Sequence, residues 1–114
     1  MQNSGNESRV FRIDRFVVPA VAEAEFLSAV TETSSAFDGM DGCLQRHMLK
    51  KQGTCGDNTY ITIVEWASLA AIQAARKVVA AKHRQMNLNP PELFRRLNIK
   101  AELGNFVPVA PRTA

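Results

Sequence analysis

Residues 9–18 alternate at period two, with Phe11, Ile13 and Val17 on one side and Val10, Phe16 and Val18 on the other. Arg12, Asp14 and Arg15 interrupt this first predicted strand. Pro19 ends it and opens a helix, where its missing N–H costs nothing. Phe26, Val30 and Phe37 then recur at helical spacing, with Ala22 and Thr33 completing the stripe. Gly39 and Gly42 supply a chain reversal. Two further strands, residues 43–51 and 59–66, flank a polar, Gly-containing hairpin loop. The run from Thr59 to Val64 is β-branched or aromatic throughout, which predicts a strand buried on both faces. Ser68 is placed to cap a second helix with Leu69, Ile72, Ala75, Val79, His83 and Met86 in one stripe. Asn89 and Pro90 start a short third helix that has Leu93, Phe94 and Leu97 to bury. A weaker strand over residues 100–107 is interrupted by Gly104, and Pro108 and Pro111 end the ordered chain.

The order βαββαβ predicts a ferredoxin-like α+β fold: an antiparallel four-stranded sheet with two long covering helices. Helices cover one face of such a sheet, so a sheet apolar on both faces needs something outside the chain to cover the other. With 114 residues, 46% of them hydrophobic, the chain can enclose one core but not two. Residues 9–108 form the expected domain, between a polar tail at 1–8 and a short tail at 109–114.

Charge and targeting narrow the function classes. The net charge of +3 is spread over short basic clusters between apolar residues, unlike the single basic stripe of a nucleic-acid surface. No apolar run approaches the ~20 residues of a membrane span, and residues 1–8 lack the apolar centre of a secretory signal. The expected location is cytoplasmic. Cys43 and Cys55 lie at opposite ends of a strand and its turn, more than about 20 Å apart if extended, so no disulfide is expected between them. A reduced compartment fits.

His83 is the sharpest chemical candidate, because an imidazole within an apolar helical stripe must face the sheet. It is placed to act as a general base, or else as a hydrogen-bonded core or interface histidine. Asp14 shares a strand face with Arg12 and Phe16 and needs a cationic partner, Arg12 or Arg46. An incomplete pair would raise its pKa and make it a second candidate base. Arg76, at the edge of the helical stripe, either binds an anionic substrate or snorkels to water. Trp66, the only tryptophan, closes the third strand, either as corner packing or as a wall for a flat aromatic. Cys43 and His47 are assigned to one strand face, but one thiol and one imidazole are too few for zinc. No glycine-rich loop precedes a helix in the way nucleotide phosphates require.

The segment from Phe11 to Pro19 and the junction Val64-Glu65-Trp66-Ala67-Ser68 resemble the antibiotic biosynthesis monooxygenase family of dimeric α+β barrels. The resemblance spans residues 9–107. It implies a homodimer with two sheets face to face, and a pocket between each sheet and its helices. In that pocket, characterised members oxidise aromatic polyketides or quinols with molecular oxygen, using no metal or flavin cofactor. The haem-degrading relatives place an asparagine where Asp14 stands and a tryptophan near Ala75, and only His83 approximates their histidine, so haem degradation is disfavoured. The expected function is a cofactor-independent monooxygenase acting on a small aromatic or quinol-type compound. His83 and Asp14 are its catalytic candidates, and Phe16, Trp66, Arg76 and Phe94 its substrate-binding candidates. The alternatives are a non-catalytic, ligand-binding or stress-associated dimer, and a subunit that recognises another protein through the loop at residues 50–58.

Overall fold

A computed structural model describes residues 9–53 and 56–109. The expected tail at 1–8, Cys55 in the hairpin loop, and residues 110–114 with Pro111 lie outside the described residues. The elements are β1 (Val10–Val18), α1 (Glu23–Ser34), β2 (Cys43–Lys50), β3 (Asn58–Trp66), α2 (Leu69–Gln85), α3 (Pro90–Arg96) and β4 (Lys100–Phe106). The strands form one antiparallel sheet in the order β2-β3-β1-β4, the ferredoxin-like topology expected from the periodicities.

Local chemistry sets the boundaries. Pro19 stands before a 3-10 turn, Ala20–Ala22, and the α-helix begins only at Glu23, so the proline precedes the helix and is not its first residue. The Ser68 hydroxyl accepts from the Ala71 N–H at 3.1 Å, and the Asn89 side chain accepts from the Glu92 N–H at 3.2 Å. Each satisfies a donor that the helix start leaves free. Asn87 and Asn98, just beyond α2 and α3, take φ values of 56° and 59°. Asparagine enters this left-handed region more readily than other non-glycine residues, and it ends both helices there.

The even-numbered residues of β1 and β3 face the helices. Two apolar clusters hold the layers together there. One joins Phe16, Val18 and Tyr60 to Ala22, Phe26 and Ile99. The other joins Val10 and Trp66 to Ile72 and Ala75, with Phe37 edge-on to the indole at a centroid distance of 5.1 Å. A fully buried ring such as Phe26 or Trp66 contributes about 3 kcal/mol by transfer from water. Between the clusters the same face carries Arg12, Asp14 and Thr62, the last two paired across β1 and β3. The apolar seam between sheet and helices is therefore broken at mid-sheet.

Two expectations need correction. Leu69, assigned to the buried stripe, is 53% exposed at the first position of α2. Cys43 and His47 do not share a face, since an irregularity between Cys43 and Gln45 shifts the register of β2. Cys43 pairs with Trp66 on the helix side, whereas His47 pairs with Ile63 on the other. One extra residue in a strand reverses the facing of all that follows.

The opposite face of the sheet presents Phe11, Ile13, Val17, Ile61 and Ile63, all half-buried, flanked by Leu49 and Phe106, which are 51% and 53% exposed. Arg15 and Glu102 pair on the same face, and Glu65 at its end is buried against Arg9. Within one chain neither face of β3 is fully covered, since Thr62 and Val64 on the helix side and Ile61 and Ile63 on the outer side are only half-buried.

Candidate active site

The break between the two apolar clusters opens into a cleft of about 920 Å³ between the sheet and the helices. Its walls come from all four strands on one side and from α1, α2 and α3 on the other. All six candidate residues, Asp14, Phe16, Trp66, Arg76, His83 and Phe94, line it.

Asp14 sits near the middle of β1 with its side chain 18% exposed. Arg12, two residues earlier on the same face, donates through Nε to Asp14 Oδ1 at 2.6 Å. Burial raises the Asp14 pKa above the usual carboxylate value of 3.8, against the opposing pull of the Arg12 hydrogen bond and charge and of a Gly104 backbone N–H. The pair is therefore formed, yet desolvation outweighs it, and the carboxyl is displaced toward its protonated form. Arg46, the other partner considered for Asp14, turns away to Asp38 Oδ1 at 2.6 Å and Ser34 Oγ at 3.1 Å, tying β2 to the end of α1.

His83 reaches the cleft from the last turn of the same α2 face that carries Ile72, Arg76 and Val79. Thr33 Oγ1 of α1 lies 3.2 Å from His83 Nε2 and orients the ring whichever tautomer is present. Lys82 and Glu32 pair at 2.7 Å beside it, fastening α1 to α2. Burial lowers the His83 pKa below the ordinary 6.5, so the imidazole is neutral at physiological pH. A neutral, half-buried imidazole in an apolar cleft can accept a proton without first losing one.

The remaining candidates differ in their exposure. Trp66 is 1% exposed and forms the floor at one end, so corner packing and a cleft wall are roles of a single ring. At the other end Phe16 stacks in tilted fashion against Phe26 and Phe94, with centroids 5.0 and 5.7 Å away. Arg76 is exposed at the rim and has no ion pair or hydrogen bond among the described residues.

Thr33, Arg46, Met48 and Thr62 also line the cleft and were not singled out as site residues. Thr62 had a usable signal, because it lies in phase with Trp66 on β3. Met48 had none, since the irregularity near Cys43 hides the facing of β2. Among the described residues no group of three or more His, Cys, Asp and Glu side chains is placed to hold a metal ion.

The antibiotic biosynthesis monooxygenase family profile matches residues 9–85, more than half of the chain. This chain belongs to that family. The fold agrees with solved structures of similar proteins. One is SnoaB from Streptomyces nogalater, described as a cofactor-independent oxygenase. It is 25% identical, with a TM-score of 0.65, over 93% of this chain and 96% of SnoaB. A dimeric ferredoxin-like protein from an uncultured marine organism is 16% identical, with a TM-score of 0.65, over 94% of this chain and all of that one. A conserved protein from Methanosarcina mazei Go1 is 11% identical, with a TM-score of 0.67, over 90% and 95% of the two chains. No curated protein sequence matches the chain. For this family member, the first strand and the β3–α2 junction that suggested the kinship both fall inside the matched region.

Proposed function

We propose that this protein is a cytoplasmic, homodimeric, cofactor-independent oxygenase that oxidises a small electron-rich aromatic, of phenol or quinol type, in the cleft between sheet and helices. The observation that carries the reading is His83, an imidazole set by Thr33 on the wall of a mostly apolar cleft. Family membership and the likeness to SnoaB support the reaction class.

In the proposed reaction His83 removes a proton from an activated ring CH2 flanked by hydroxylated rings. The resulting carbanion passes one electron to molecular oxygen, and the two radicals combine to a peroxide. Imidazolium returns its proton to the peroxide, and loss of water leaves a carbonyl. The balance is CH2 plus O2 giving C=O plus H2O, with the substrate as the only reductant. Asp14, paired with Arg12, is held in the same cleft as a second candidate base. Phe16, Phe94 and Trp66 supply flat apolar walls, and the rim residue Arg76 contacts the substrate.

The outer sheet face bears on assembly. Phe11, Ile13, Ile61, Ile63 and Leu49 form an apolar surface that a second copy of the chain would cover, and the dimeric marine relative shares the fold.

Oxygen uptake with a tricyclic anthrone as probe tests the reading. The expected result is one O2 consumed per quinone formed, with kcat/KM rising with pH through an apparent pKa below 6.5. His83→Ala should lower kcat/KM by about 10²-fold or more with the circular dichroism spectrum unchanged. Turnover that survives this substitution refutes the assignment. Binding of the probe without oxygen uptake favours the ligand-binding alternative.

A further inference from the structure

Three arginines line the cleft, and two of them are neutralised. Arg12 meets Asp14, and Arg46 meets Asp38, each at 2.6 Å. Arg76 alone lacks a counter-charge among the described residues. The lining therefore holds three fixed cations against two carboxylates, in walls that are otherwise largely apolar. A guanidinium left unpaired at the rim of an apolar cleft presents a flat, two-pronged donor to whatever enters.

We propose that the substrate is an aromatic carboxylic acid whose carboxylate is held by Arg76 at the rim while its ring system lies along α2 toward His83. The placement suits the energetics of an amphiphilic ligand. An anion at the rim keeps part of its hydration, and only the apolar rings are taken fully from water. The spacing also sets the size of the ligand. Arg76 and His83 are seven residues apart on one helical face, about 10 Å at 1.5 Å per residue. A fused three-ring acid with its carboxylate on the outer ring and its central CH2 turned toward His83 fits that interval. The inference names the substrate class for the site proposed above and rests on that assignment of the cleft, but its test reads binding rather than turnover.

The experiment is isothermal titration calorimetry of the full chain with a hydroxynaphthoate, hydroxyl and carboxylate at opposite ends, and with its methyl ester. The acid should bind at least about tenfold more tightly than the ester, and the preference should shrink as salt is added. Arg76→Gln should abolish the preference and leave ester affinity within about twofold. Arg76→Lys, which keeps the charge but not the fork, should retain part of it. Equal binding of acid and ester, a preference that survives Arg76→Gln, or no binding of either ligand overturns the proposal. Acid binding through Arg76 without oxygen uptake from any probe would leave this inference standing and remove the oxygenase reading.

Discussion

Burial displaces Asp14 and His83 in opposite directions, the carboxyl upward and the imidazole downward, because a dry site disfavours whichever form is charged. The consequences for stability follow by linkage. For His83 the folded pKa lies below 6.5, so the unfolded chain binds the extra proton in that interval. Its contribution is complete above 6.5 and is lost as pH falls through the folded value. For Asp14 the folded pKa lies above 3.8, so the folded chain holds the extra proton. That contribution is complete below 3.8 and is lost as pH rises through the folded value. Urea unfolding of wild type and Asp14→Asn should therefore show the wild type losing ground to the variant as pH is raised from about 4 to 7. A difference that stays constant, or that moves the other way, would mean that the Arg12 pair outweighs burial. His83 was legible from its place in an apolar helical stripe, and Asp14 from its place on a strand face with Val10 and Phe16. The partner of Asp14 was not, because Arg12 and Arg46 are equally placed by sequence and only the reach of Arg46 to Asp38 separates them.

The β2 strand and its approach show how one irregularity shapes an element. Gly42 adopts a φ of +86°, and a Cβ there would come within 2.7 Å of the Ala71 Cβ in the first turn of α2. Its carbonyl also accepts from the Ala67 N–H at 2.8 Å, so the turn, the end of β3 and the start of α2 converge on this residue. Gly42→Ala should destabilise the fold by roughly 2 kcal/mol or more, since left-handed strain alone costs about 1–2 kcal/mol and the contact adds to it. Thermal unfolding provides the check, and an unchanged midpoint would show that the turn relaxes freely. Gly42 was recognisable as a turn glycine, whereas its contact with Ala71 belongs to a residue almost thirty positions away. The misplacement of Leu69 has a related cause. Periodicity marks a stripe along a helix, but it does not say how far neighbouring elements cover that stripe.

The arrangement of the two layers leaves an outer sheet face with Phe11, Ile13, Ile61 and Ile63 half-buried, Leu49 half exposed at its margin and the Arg15–Glu102 pair beside them. Covered by a second copy, that face would lose about 25 cal/mol for each square ångström of apolar area removed from water. Sedimentation at micromolar concentration should give twice the 12.6 kDa of one chain. Ile63→Glu, which plants a charge at the centre of the face, should shift the species toward the single-chain mass. A wild-type chain that sediments as one copy would remove the dimer.

The element order, the helix caps and the presence of one imidazole in an apolar stripe could all be read along the chain, because each depends on neighbours within a few residues. The cleft could not. It lies where Arg12, Asp14 and Thr62 meet mid-sheet between two apolar clusters, and its charge balance follows from Arg12 and Arg46 meeting nearby carboxylates while Arg76 meets none among the described residues. Such facts depend on strand register and on which long side chain reaches which partner. Both are settled only when residues remote in sequence pack against one another.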